Sequence, residues 1–134
     1  ARTSTRGSEL RHWPVQFHLI NPVSEAFREQ DLLLTADCVA YALGDFHARF
    51  LRRGPVAIAC PKLDGGQEGY VDKIRSLVED AHIRTLTVIR MEVPCCGGLV
   101  ALARKALSGC ARRVPLLEVV VSVEGQILKE EWLL

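Results

Sequence analysis

The 134-residue sequence has no Cys-x-x-Cys pair, no Gly-x-Gly-x-x-Gly, no P-loop pattern and a single methionine, the internal Met91. Without Cys-x-x-Cys there is no local support for a zinc ribbon or a thioredoxin-type motif, so any site shared among cysteines must be assembled by the fold. Without the glycine fingerprints of dinucleotide and phosphate loops, the glycines of Asp64-Gly-Gly-Gln-Glu-Gly69 read as a crossover turn. No apolar run approaches the roughly 20 residues of a membrane helix. Basic and acidic residues are interspersed and nearly balanced, 17 against 16, for a net charge of +1, so nothing points to electrostatic binding of nucleic acid or membrane. The start shows no signal-peptide pattern. With Ala1 first and Met91 internal, the expectation is a processed product or a piece of a longer protein.

What is present suits one compact domain: 49% of residues are hydrophobic, enough for a core without disulfides or metal staples. Five cysteines are an odd number in a chain that is neither tiny nor visibly secreted, so reduced thiols and a cytoplasmic location are expected.

Residues 1–11 are small, polar and aperiodic, as in a linker or arm, and the domain is expected over 12–134. His12-Trp13-Pro14 is expected to dock this arm on the body, with Trp13 as the anchor. Val15–Ile20 reads as a strand ended by Asn21-Pro22, and Ser24–Gln30 as one or two helical turns with Ala26 and Phe27 inward. Asp31–Ala36, Val56–Cys60, Thr85–Val93 and Leu116–Val123 read as further strands. In the last of these, Glu118 and Ser122 suggest a less covered position. Helices are predicted over Cys38–Arg53, with Asp37 as N-cap and Gly54-Pro55 as stop, over Tyr70–Ala81, and over Leu99–Leu107. Arg49, Arg52 and Arg53 then offset the first helix's dipole. The tail Gln126–Leu134 is expected to pack Trp132 back on the body. Alternating strands and helices indicate right-handed βαβ units, hence a single α/β domain of Rossmann-like or flavodoxin-like three-layer design, with a mainly parallel sheet of about five strands.

Ligands of such sheets bind beyond the carboxyl ends of the strands. Cys38, Cys60, Cys95 and Cys96 each follow a predicted strand, so three distant parts of the chain deliver thiols to one edge. Cys38 and Cys96 stand at predicted helix starts, where free N–H groups favour thiolate, the form that ligates metals. Gly97 and Gly98 remove bulk beside the paired cysteines, letting backbone N–H groups approach a cluster or anion. A shared iron–sulfur or zinc site, a metal-free thiol redox site and inert packing of small hydrophobes all remain open at this point. Asp45 and His47, about two turns along the first helix, are candidates for proton handling beside the thiols or for plain capping and surface roles. His12, His18 and His82 have no evident partner, and Cys110 falls at the opposite edge without a role.

The motifs His12-Trp-Pro-Val-Gln-Phe, Ala36-Asp-Cys-Val-Ala-Tyr-Ala-Leu-Gly-Asp-Phe-His47, Ala59-Cys-Pro-Lys-Leu-Asp64 and Met91-Glu-Val-Pro-Cys-Cys-Gly-Gly98 resemble the C-terminal half of a family of ferredoxin-like iron–sulfur proteins of anaerobes. In that family a two-cluster ferredoxin module precedes a polar linker and this cysteine-bearing half. The resemblance runs from His12 onward and implies electron transfer; the ferredoxin half itself is missing. A weaker likeness is to the delta subunit of methyl-viologen-reducing hydrogenase, which carries Cys-x-x-Cys pairs that this sequence lacks. The implied cofactor is an iron–sulfur cluster on Cys38, Cys60, Cys95 and Cys96, 4Fe-4S in preference to 2Fe-2S, with zinc as the alternative. The implied partner is a ferredoxin module of the parent chain or another redox protein. The other readings are a zinc-bound or metal-free docking domain for that module, and a thiol enzyme with Cys95 or Cys96 as nucleophile and His47 as base.

Overall fold

The computed structural model describes residues 7–134, except for the side chain of Cys96. Among the described residues five strands form one sheet: β1 (Asp31–Ala36), β2 (Val56–Ala59), β3 (Thr85–Met91), β4 (Leu116–Val121) and β5 (Ile127–Trp132), in the spatial order β2-β1-β3-β4-β5. The first four are parallel and β5 is antiparallel to β4. Because β2 lies on one side of β1 and β3 on the other, the winding direction reverses at β1, which is where open α/β sheets hold their ligands.

The crossovers supply the layers. From β1 the chain passes through α1 (Val39–Ala42), α2 (Phe46–Arg49) and a 3-10 turn (Leu51–Arg53) into β2. α3 (Gln67–Glu79) leads to β3, and α4 (Gly97–Ser108) leads to β4. Right-handed connections put α3 and α4 on the face opposite α1 and α2. On α3 the residues Val71, Ile74, Leu77 and Val78 recur at helical spacing and all are buried, as their periodicity predicts. Arg75 crosses to the carbonyl of Ala106 on α4 at 3.3 Å, joining the two helices. Leu32, Leu34, Leu86, Ile89 and Val119 are fully buried, so the central strands are covered on both faces.

Several expectations need correction. The helix predicted over Cys38–Arg53 is three short pieces, because Leu43 is extended (φ −98°, ψ 107°) and α2 restarts at Asp45. Cys38, not Asp37, occupies the N-cap position of α1, with no side-chain capping bond. The strand predicted at Val15–Ile20 reduces to a single bridge between Gln16 and Ile58, after which the backbone turns, Gln16 accepting from the N–H groups of Leu19 and Ile20. That segment still has a structural purpose: it covers the open edge of β2, with Ile58 donating to Val15 at 2.8 Å and accepting from Phe17 at 2.9 Å. Lys73 locks it down by donating to the carbonyls of Phe17, His18 and Ile20 at 2.7–2.9 Å.

Trp13 is not the anchor, being 79% exposed. His12 fills that position, accepting from the Val56 N–H at 3.1 Å and meeting Phe27 edge-on at 5.0 Å. Trp132 is likewise exposed on edge strand β5, where backbone pairing and not ring burial fixes the tail. With β5 in place β4 is buried along its whole length, contrary to the less covered position predicted for it.

β5 also settles the environment of Glu118. Its carboxylate, 8% exposed, receives Arg90 of β3 at 2.9 Å and Lys129 of β5 at 2.9 Å. Burial alone would raise this carboxyl; hydrogen bonds from Arg90 and Lys129 outweigh it and hold it below the usual range. A carboxyl depressed by folding contributes stability above its unfolded pKa and loses it as pH falls through the folded value. Replacing Glu118 with Gln is therefore expected to cost about 2 kcal/mol at neutral pH, since Arg90 is left largely buried without its counter-charge. Urea unfolding against pH should show that difference shrinking below about pH 4.

Candidate functional site at the carboxyl edge

The carboxyl ends of β2, β1 and β3 lie side by side and each opens into a cysteine-bearing loop. Cys38 follows β1 by two residues and is exposed; Cys60 follows β2 directly and is half-buried. Cys95 is exposed in the 3-10 turn Pro94–Cys96, which runs straight into α4. Cys96 belongs to the same turn, but its side chain lies outside the described set. The β2 and β3 loops touch: a methyl group built on Gly98 would meet the Pro61 ring at 3.5 Å, whereas one on Gly97 would meet open space. The Gly98 separation is ordinary van der Waals contact, so the β3 loop lies beside the residue after Cys60 at a distance an alanine would also tolerate.

The helix starts after the two loops differ in length. α4 has 12 residues and offers a real N-terminus to the Cys95-Cys96 turn. α1 has only four, too short to give Cys38 a comparable field. Among the described residues, no three His, Cys, Asp or Glu side chains lie close enough together to hold a metal ion. Cys110 sits at the other edge, its thiol donating to the Ala106 carbonyl at 3.3 Å, and burial pushes its pKa up.

Asp45 and His47 have local partners. Asp45 pairs with Arg49 at 3.1 Å one turn along, and His47 accepts from the Glu9 N–H at 3.1 Å. The remaining arginines of that segment are also spoken for, Arg52 by Glu9 and Arg53 by Glu130.

The most connected group at this edge is one to which the sequence reading assigned no role. After Cys60 the chain makes a tight turn, with the N–H groups of Leu63 and Asp64 both donating to the Cys60 carbonyl. This turn aims the Asp64 carboxylate back at the Cys60 N–H, 2.9 Å away. The same oxygen accepts from Gln16 Nε2 at 3.1 Å and from the Tyr70 hydroxyl. Tyr70 is fully buried, stacked between Phe17 and His18 at 4.8 and 4.2 Å, and His18 donates through Nε2 to the Gly65 carbonyl. His12 and His18 are thus both engaged, against the expectation that they lack partners. Burial opposes ionisation of Asp64, yet the Cys60 N–H and the Tyr70 hydroxyl hold its carboxyl below the usual value. Burial, and then the bond to Asp64, push the Tyr70 phenol well above its ordinary range. Asp37, in register beside this loop and donating its N–H to Ala59, is pushed the other way: burial, then the charge of Asp64, raise its carboxyl.

The spacing of four from Cys60 to Asp64 was the available signal for this hub, since a one-turn loop returns such a residue to the N–H of the first.

No helix among the described residues is long and apolar enough to cross a membrane. An uncharacterized protein of Archaeoglobus fulgidus is 28% identical over 119 residues, covering 89% of this chain and 83% of the relative. No solved structure matches the chain. Neither the relative's name nor the family description mentions iron–sulfur, ferredoxin or hydrogenase. The doubly wound sheet, its reversal at β1 and a family match across residues 24–134 agree on one assignment: the chain belongs to the Rossmann-like domain family.

Proposed function

We propose that this domain binds an iron–sulfur cluster at its carboxyl edge through Cys38, Cys60, Cys95 and Cys96, and exchanges electrons with a ferredoxin module or another redox protein. The observation that carries the reading is the sheet order: the three cysteine-bearing loops leave three consecutive strands, β2, β1 and β3, at the edge where the winding reverses. The donor chemistry fits, because thiolates are the usual ligands of such clusters and the loops hold few other donors. When bound, the cluster supplies one-electron transfer. The chain's own contribution is to fix the sulfurs. Asp64 holds the Cys60 loop, and the Cys95-Cys96 turn runs into the start of α4 beside Pro61.

The test is iron, acid-labile sulfide and zinc content with a visible spectrum, on protein purified and reconstituted without oxygen. Iron with sulfide is expected in the unmodified protein, in Cys110→Ser, and in neither Cys60→Ser nor Cys95→Ser. Iron-free protein after reconstitution, with folding intact, would remove the cluster and leave a metal-free docking or thiol domain.

A further inference from the structure

A cavity of about 700 Å³ opens at the sheet edge opposite the Cys38, Cys60 and Cys95 loops, between the end of α4, the loop from Cys110 into β4, and Leu134 after β5. Its size suits a small organic ligand. Leu107 and Val114, 8% and 5% exposed, line it together with the exposed Pro115 and Leu134, so apolar surface lies open to water. The charged side chains of its wall are all arginines, Arg104, Arg112 and Arg113. Arg49, Arg52, Arg53 and Arg90 each have a carboxylate partner, whereas these three make no ion pair among the described residues, the α-carboxylate of Leu134 included. Arg112 is half-buried and held in place, its Nη1 donating to the Val78 and Ile83 carbonyls at 2.6 and 3.4 Å, and its other nitrogens have no partner among the described residues. Arg104 and Arg113 are exposed and therefore open to a ligand. The remaining polar groups of the wall are turned into the backbone of α4: Ser108 donates to the Lys105 carbonyl at 2.7 Å, and Cys110 to that of Ala106. Glu79, the acid beside this loop, is occupied by the N–H groups of Ala111 and Arg112 at 2.6 and 3.2 Å.

We propose that this cavity binds an organic anion, a carboxylate or phosphate head carried on an apolar body. The head lies among the three guanidinium groups, whose planar forks of N–H donors match either oxyanion. The body covers Leu107, Val114, Pro115 and Leu134, removing their apolar surface from water. Both parts are needed. An inorganic anion would leave that surface wet, and a neutral apolar molecule would leave three like charges around one cavity without a counter-charge. Arg112, already fixed by two carbonyls, loses little freedom on binding, while Arg104 and Arg113 are ordered by the ligand.

The experiment is a ¹H–¹⁵N NMR titration of the full chain with octanoate and with octyl phosphate, using inorganic phosphate and 1-octanol as probes of the head and the body alone. Saturable shifts at Leu107, Val114 and Leu134 are expected with at least one of the two amphipathic anions, and phosphate and octanol should bind at least tenfold more weakly. Arg104→Gln and Arg113→Gln, combined in one variant, should weaken the binding of that anion by about tenfold or more. The melting temperature should not fall, because both side chains are exposed and unpaired in the free protein. Three results would overturn the proposal: no saturable shift with either amphipathic anion, equal binding of phosphate or octanol, or an affinity that the double variant leaves unchanged. Because the readout is binding at the end of α4 and not metal content, the outcome is independent of the cluster.

Discussion

Gly54→Ala is expected to lower the melting temperature by roughly 10–15 °C, a loss on the order of 3–4 kcal/mol for a domain of this size. The cause is steric. A Cβ at Gly54 would stand 2.0 Å from the carbonyl oxygen of Asp31, and that oxygen belongs to backbone, which cannot swing aside. Asp31 starts β1, is paired with Thr85 of β3, and its carboxylate accepts from the Thr85 hydroxyl at 2.8 Å. The next residue after Gly54 is held as well, the Pro55 carbonyl accepting from the Leu33 N–H at 2.9 Å. Room for a methyl group can come only from parting β2 from β1, and the register from Leu33–Val56 onward begins at that point. Gly69→Ala is the control with the opposite sign. It lies in α3 with nothing within 4 Å of the added carbon, so it should stabilise by about 0.5–1 kcal/mol through helix propensity. Thermal melts of both variants against the unmodified protein make the comparison; equal effects of the two would show that the close approach at Asp31 does not constrain the sheet.

The parts of the fold that were legible in the sequence are those where local pattern and tertiary burial ask for the same residues. α3 shows this, with Val71, Ile74, Leu77 and Val78 on one face, as do the four parallel strands, whose apolar runs are short and bounded by turn residues. The parallel winding follows from that alternation, and with it the arrival of Cys38, Cys60 and the Cys95-Cys96 pair at one edge. What misled was pattern without context. Apolar residues from Val39 to Leu51 keep roughly helical spacing, but Val39, Leu43, Phe46, Phe50 and Leu51 are buried from three short pieces that bend around the sheet edge while Tyr41 is exposed, and spacing alone cannot tell a bent path from a straight one. Val15–Ile20 has strand composition yet spends its hydrogen bonds on capping β2 and on a lysine, Lys73, more than 50 residues away. Glu118 looked like an exposed strand position because its two cations come from different strands. β5, with a charged centre and only Ile127 partly buried, carries little apolar signal and is defined by its backbone pairing to β4.

The candidate site was legible to the same depth. Cysteine positions relative to strand ends are a property of the sequence, so the edge could be named; the hydrogen bonds that organise it join residues 16, 60, 64 and 70, and only the fold brings Gln16 to that group.

Asp64→Ala is the substitution in which stability and site should fail together. One carboxylate oxygen serves the Cys60 N–H, the Tyr70 hydroxyl and Gln16. Removing it strands a phenol in a fully buried residue and a half-buried backbone donor, for an expected loss of about 3 kcal/mol. Tyr70→Phe, which deletes one donor and leaves the carboxylate with two, should cost only about 1 kcal/mol. If the pair is coupled as the geometry requires, the double variant will be less destabilised than the sum of the two single ones. Acid adds a second reading. The Asp64 carboxyl is depressed in the folded protein, so its contribution is complete above the unfolded pKa and disappears as pH falls through the folded value. The gap between Asp64→Ala and the unmodified protein should therefore narrow below about pH 4. Hydrogen exchange at the Cys60 amide supplies the local measurement: exchange in Asp64→Ala should accelerate at Cys60 well beyond the change at central β3 amides such as Val88. Uniform acceleration across the sheet would mean that Asp64 stabilises the domain without holding this loop. In the cluster reading the same variant, still folded at low temperature, should lose iron along with the order of Cys60, because a ligand whose loop is untethered no longer stands at a fixed separation from the other sulfurs.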